Sequence, residues 1–87
     1  MDFKQYLLNR NLFVKNARKI EDTSADQYNN RLVNLKKNDI YNEEMTIGQN
    51  MIQKINQRYA NKANEYERTI KYYLEYKKIC EKENFIK

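Results

Sequence analysis

The sequence predicts an all-α fold: a compact four-helix bundle in one domain over residues 1–87, with the longest helix at the C-terminus. Three observations predict it. The chain has no proline and a single glycine, Gly48; a sheet protein of this size would need several tight turns built on those residues. Apolar residues recur in separated stripes of 3.6-residue period. Capping side chains stand between the stripes: Asp2, Thr23, Ser24 and Asn64. Asparagine, thirteen of the 87 residues, supplies the remaining punctuation, because it forms helix poorly and serves caps and turns well.

The first helix opens at the Asp2 cap and buries Phe3, Tyr6 and Leu7, with Val14 and Ala17 further along. Asn9, Asn11 and Asn16 interrupt it, and the spacing allows a break near Asn11 with a restart through residues 12–20. The Glu21-Asp22-Thr23-Ser24 stretch is a boundary. Thr23 with Asp26, and Ser24 with Gln27, both have capping-box spacing. The second helix carries Tyr28, Leu32 and Leu35 at i, i+4, i+7 and runs to about Lys37. A turn follows at Asn38-Asp39, and Ile40 and Tyr41 fold back onto the core.

Residues 42–46 read as an acidic, polar loop. The third helix has Ile47, Met51, Ile52, Ile55 and Tyr59 on one face, with Gly48 in its first turn, where it costs little or permits a close contact. Residues 61–64 form a short link, and Asn64 with Glu67 repeats the cap signal. The last helix runs from residue 65 to about 83 with Tyr66, Ile70, Tyr73 and Leu74 inside, Lys77 covering apolar surface with its stem, and Tyr72, Tyr76 and Ile79 on the flank. The spacing is not a sustained heptad, so a globular bundle is predicted rather than a coiled coil. The predicted core is Phe3, Leu7, Tyr28, Leu32, Leu35, Ile47, Met51, Ile55, Ile70 and Tyr73.

Composition excludes most chemistry. The chain has no histidine, so it lacks the commonest acid/base and any Ser-His or Cys-His nucleophile. One cysteine without histidine cannot hold zinc, and no glycine-rich phosphate loop exists. The expectation is a chain with no catalytic residue, no metal, no cofactor and no small-molecule substrate. Cys80 fits a small half-buried apolar residue and cannot form an internal disulfide. The lone cysteine, the absence of a signal peptide and the absence of an apolar run of about 20 residues point to the cytoplasm and away from a membrane.

Net charge is +5 with a pI near 9.3, which favours an anionic partner such as nucleic acid. Residues 1–41 carry eight Lys/Arg against five Asp/Glu, and residues 57–82 carry seven against four. The excess is +3 in each, so the basic charge is spread out. Two helix faces hold the residue types that grip phosphates and read base edges. On the second helix these are Gln27, Asn30, Arg31, Asn34 and Lys37; on the fourth, Arg68, Lys71 and Lys78 share a face interrupted by Glu75. Solvated helix faces have the same composition. The eight tyrosines are the compositional oddity. Most fit the core with the hydroxyl reaching solvent, while Tyr72 and Tyr76 beside lysines suit base stacking, phosphate contact or a protein interface.

The order of elements resembles a family. Phe3, Tyr6 and Leu7 match the Phe-x-x-Tyr-Leu opening of the N-terminal core-binding (SAM-like) domain of phage and transposon integrases of the tyrosine recombinase family. Ser24, Tyr28, Leu32 and Leu35 match the second helix of that domain, and Glu67-Arg68, Ile70, Tyr73 and Tyr76 its closing helix. The similarity spans roughly residues 2–80. It implies half of a clamp around duplex DNA, with the second and fourth helices facing the major groove, in the service of DNA integration and recombination. The resemblance points to Gln27, Arg31, Asn34, Lys62, Arg68, Lys71, Tyr72 and Lys78 as the nucleic-acid contacts. In that family the catalytic tyrosine, arginines and histidine belong to a separate C-terminal domain with no counterpart in these residues. The chain is therefore expected to be either a domain excised from an integrase or an orphan small protein of similar shape.

A second reading stands beside it: a small phage- or mobile-element-encoded protein-interaction module, a regulator or inhibitor that docks a tyrosine-rich surface on a host protein. DNA binding requires the basic residues to converge on one surface. A protein binder would show an exposed tyrosine and aliphatic patch instead.

Overall fold

Asp2 starts the first helix as its spacing predicts. In the computed structural model, which describes residues 1–86 and the side chains of residues 1–82, Asp2 Oδ1 accepts from the Gln5 backbone N–H at 2.8 Å, and Gln5 Oε1 accepts from the Asp2 N–H at 2.9 Å. This closed capping box satisfies two N–H groups that a helix start leaves orphaned. Helix α1 then runs Phe3–Leu8 and buries Phe3, Tyr6 and Leu7.

The first break falls earlier than predicted. Asn9 ends α1, its Nδ2 donating to the Gln5 carbonyl at 2.9 Å, and a short helix α2 covers Arg10–Phe13. No helix restarts through residues 14–21. Asn16 sits there with φ of 65°, a left-handed conformation that asparagine tolerates and that a helix cannot continue through.

Helix α3 spans Asp22–Lys37. It begins before the expected Thr23 or Ser24 cap, with Glu21 at the cap position making no side-chain bond. Asp22 instead lies in the first turn, where a carboxylate suits the positive end of the helix dipole, and Lys4 of α1 bridges Asp22 at 3.4 Å and Asp26 at 2.8 Å. Asn38 closes α3 by donating Nδ2 to the Asn34 carbonyl at 2.9 Å. Asp39 turns the chain at φ of 58°. Ile40 and Tyr41 then return to the core as predicted, Tyr41 with no exposed surface.

Helix α4 is Gln49–Arg58. Gly48 is its cap residue rather than part of its first turn, in extended backbone at φ of −89° and ψ of 167°. A methyl group placed there would touch nothing within 4 Å, so no close packing contact depends on this glycine. The expected link at residues 61–64 is a 3-10 turn, Ala60–Lys62, that feeds directly into the longest helix, α5, Ala63–Ile86. The molecule's long dimension of 39 Å is set by α5, whose 24 residues rise about 36 Å.

Among the described residues, all regular structure is helical. The expected four helices become five because the first divides at Asn9. Helix α5 is the spine: α1, α3 and α4 all pack on it, and α1 also packs on α3. The core holds Phe3, Leu7, Leu32, Leu35, Met51, Ile55 and Ile70 as predicted, together with Tyr6, Ala25, Ile40, Tyr41 and Tyr66. Tyr28, Ile47 and Tyr73 are half-buried at its margin rather than inside it. Ala25 escaped the prediction because a small residue adds little to a hydrophobic stripe, yet it lies fully buried in the core.

Candidate nucleic-acid interface

The seam between α3 and α5 is lined by aromatic rings with arginines over them. Tyr28 on α3 meets Tyr72 on α5 edge to face, centroids 5.1 Å apart. Both tyrosines lie on the margins of their helices' apolar stripes, so packing the stripes together brings the rings into contact. The Arg31 guanidinium lies 5.4 Å from the Tyr28 ring centre, and the Arg10 guanidinium lies 4.5 Å from that of Tyr72. Cation–ring attraction holds such groups in place at a cost to side-chain freedom already met by folding. Arg68, exposed on α5, sits against the Tyr28 hydroxyl, which raises its already high pKa. Its charge is permanent at any working pH.

The predicted contacts therefore divide. Arg31, Arg68 and Tyr72 come together around Tyr28. Gln27 and Asn34 are exposed on α3, and Lys71 and Lys78 are exposed on the outer face of α5. Tyr72 lies within the seam, its ring between Tyr28 and Arg10; burial is the main cause that raises its pKa. Its ring is committed to these neighbours, which makes it a floor for the arginines and not a free stacking platform. Tyr76 is likewise packed, against Phe3 and Tyr6, and donates its hydroxyl to the Met1 carbonyl at 2.8 Å. Lys62 is separated from this group: it belongs to the 3-10 turn that precedes α5.

Glu75 does not interrupt the basic face of α5 as the helical spacing suggests. Its carboxylate turns inward to Arg10, whose Nε lies 2.6 Å from Oε1 and Nη2 3.2 Å from Oε2. The Tyr6 hydroxyl donates to the same Oε1. This arrangement neutralises Arg10 and turns Glu75 away from Lys71 and Lys78, while Glu65, Glu67 and Glu81 remain on α5 near its cations. Among the described residues, Arg31, Arg68, Lys71 and Lys78 form no salt bridge, whereas Lys4, Arg10, Lys36 and Lys77 all do. The cations available to an outside anion are thus a subset that charge counting alone does not identify.

Three features were not singled out from sequence. Arg10 enters the seam because α1 ends at Asn9 and α2 turns it over Tyr72. Lys54 and Arg58 are exposed on α4, and the signal for them is the absence of any Asp or Glu from residues 45–64. Among the described residues no group of three or more His, Cys, Asp or Glu side chains is placed to hold a metal ion. No helix of the described residues is long and apolar enough to cross a membrane. Compared with known protein families, curated proteins and solved structures, the chain matches none.

Proposed function

We propose that this chain is a non-catalytic module that binds duplex DNA through the α3–α5 edge, in the manner of the core-binding domain of a tyrosine-recombinase integrase. The observation that carries the reading is the convergence of Arg31 and Arg68 on Tyr28, with Lys71 next along α5 and none of the three tied to a carboxylate among the described residues. Unpaired guanidiniums on an aromatic floor are preorganised for phosphate oxygens, because they break no internal ion pair on binding. Gln27 and Asn34 add amide groups that bond phosphates or base edges.

Salt-titrated binding to duplex DNA tests it. The affinity expected is micromolar to about 100 micromolar, falling as salt rises because the counterions that binding releases gain less entropy in a saltier solution. Arg68→Ala with Lys71→Ala should reduce the dependence of log K on log salt by about two units, if each neutralises one phosphate. Both residues are exposed, so the melting temperature should hold. Failure of the parent to bind at low salt would refute DNA binding, and an unchanged slope would remove the α3–α5 edge from it.

A second reading, a protein-interaction module, is favoured by one observation. Leu12 is 75% exposed beside the exposed Phe13, whose ring packs on Tyr6; Tyr6 in turn meets Tyr76, which bonds the exposed Met1. Exposed apolar groups so grouped suit a protein partner. Replacing Leu12 with aspartate would abolish binding to such a partner and leave DNA binding unaltered.

A further inference from the structure

The acid-free stretch of the chain forms a surface of its own. Residues 45–64 contain Lys54, Arg58 and Lys62 and no aspartate or glutamate. Three cations less no carboxylates is +3 over 20 residues, the same excess that residues 1–41 carry over twice the length, so positive charge is densest in this segment. Helix α4 turns Met51 and Ile55 into the core. At 100° per residue that places Lys54, Gln57 and Arg58 along a flank, and all three are exposed, as are Asn61 and Lys62 beyond the helix end. None of the three cations forms a salt bridge among the described residues.

This flank carries two shallow, open depressions. One depression of about 400 Å³ is lined by Asn38, Asp39, Ile40, Lys54, Gln57 and Arg58, and another of about 350 Å³ by Gln57, Arg58, Tyr59, Ala60, Asn61 and Lys62. They share Gln57 and Arg58, so they form one trough that runs from the end of α3 along α4 to the 3-10 turn. Asp39 is the sole carboxylate lining it; it stands at one end, and its Oδ1 accepts from Asn42 Nδ2 at 2.8 Å.

From this geometry we infer that the α4 trough is a second phosphate-binding track for duplex DNA, formed by Lys54, Arg58 and Lys62. Lys and Arg with Asn and Gln between them are the donor set that grips a phosphate backbone. Lys54 and Arg58 stand one turn apart on α4, about 6 Å along its axis, and Lys62 follows in the 3-10 turn beyond the break at Tyr59, a spacing that suits neighbouring phosphates of one strand. A single strand would call for free aromatic platforms. The trough offers none, because Tyr59 is stacked on Tyr66 with centroids 3.7 Å apart and is bonded through its hydroxyl to Asn38. An acidic protein surface is the rival occupant; the apolar groups lining the trough are the buried Ile40, the stacked Tyr59 and the small Ala60, so none is a large exposed anchor, which disfavours it.

The inference rests on the reading of the chain as a DNA binder and adds a surface that the α3–α5 edge does not include. The test measures salt-dependent binding to a duplex by the parent, the Lys54→Ala/Arg58→Ala/Lys62→Ala variant, and the Arg68→Ala/Lys71→Ala variant. A charge-preserving variant, Lys54→Arg/Arg58→Lys/Lys62→Arg, serves as control, and circular dichroism checks that each is folded. The trough variant should flatten the slope of log K against log salt by about 2.7 units, at about 0.9 per phosphate, and the control should keep the parent slope. A trough variant with the parent slope overturns the inference and leaves the α3–α5 edge standing if its own variant is flattened. A flattened trough variant beside an unaffected Arg68/Lys71 variant has the reverse meaning: the trough stands and the α3–α5 edge falls. A parent that binds polyglutamate but no duplex overturns both.

Discussion

The Tyr6 hydroxyl donates to Oε1 of Glu75, joining α1 to α5 across 69 positions of sequence. Tyr6 has no exposed surface, so no water replaces that acceptor. Burial, and then the neighbouring carboxylate, push the Tyr6 pKa up. The phenol therefore stays a donor throughout the ordinary pH range. Arg10 closes on the same carboxylate, so one acidic group holds both α1 and α2 to the spine helix.

Removing that acceptor should be costly. Glu75→Ala leaves a buried hydroxyl and a part-buried guanidinium unpartnered, and should cost about 1–3 kcal/mol in urea unfolding, or more because a charge is involved. A double-mutant cycle of Tyr6→Phe with Glu75→Ala removes the bond in each single variant and should return a coupling of about 0.5–3 kcal/mol. Additive effects would mean that the bond contributes nothing of its own.

Leu32 lies in the core on the buried face of α3. Its truncation to alanine removes apolar contacts that the surroundings cannot fully refill, at about 2–5 kcal/mol. For a domain of marginal stability that loss approaches the whole folding free energy. Thermal melting of Leu32→Ala at the parent's midpoint would contradict the packing of α3 described above.

Glu43 supplies a pH-dependent tie. It sits at φ of 67°, unusual for a glutamate, and its carboxylate ties α3 to α5: Tyr73 Oη donates at 2.9 Å, Lys77 Nζ lies at 3.0 Å, and Lys36 bridges from α3. Burial by itself would raise its pKa, but bonds from Lys36, Lys77 and Tyr73 outweigh it and lower the value from 4.5 to about 2. A carboxyl whose folded pKa is depressed stabilises above its unfolded value and loses that contribution as pH falls through the folded one. Melting temperature should therefore decline between about pH 4.5 and 2, and Glu43→Gln should decline less steeply. The side chain is 45% exposed, so added salt should shrink the difference. Parallel pH profiles for parent and variant would show that the cluster adds no stability.

Helix content and the buried stripes were legible from periodicity. Leu32 and Leu35, Met51 and Ile55, and Tyr66 and Ile70 all lie buried where 3.6-residue spacing puts them, because burial of one helix face is a local pattern that the chain writes along itself. Helix boundaries were less legible. The Thr23 and Ser24 signals lost to a start at Asp22, where Lys4, 18 positions away in sequence, holds Asp22 and Asp26. A local capping preference of about 1 kcal/mol is readily outweighed by tertiary contacts that sequence spacing does not display.

The candidate interface divides along the same line. The sequence by itself determined that the chain is helical, basic, without histidine, and supplied with Arg31, Arg68 and Lys71 opposite its apolar stripes. Only the tertiary structure decided which charges are free. It turned the half-buried Glu75 onto Arg10 and Tyr6, clamped Lys36 and Lys77 on Glu43, and left Lys54, Arg58 and Lys62 without a salt bridge among the described residues, along one trough. The reason is physical: helical periodicity is a property of neighbours three or four positions apart, whereas an ion pair depends on which helices the fold sets side by side, here residues 65 positions apart for Arg10 and Glu75.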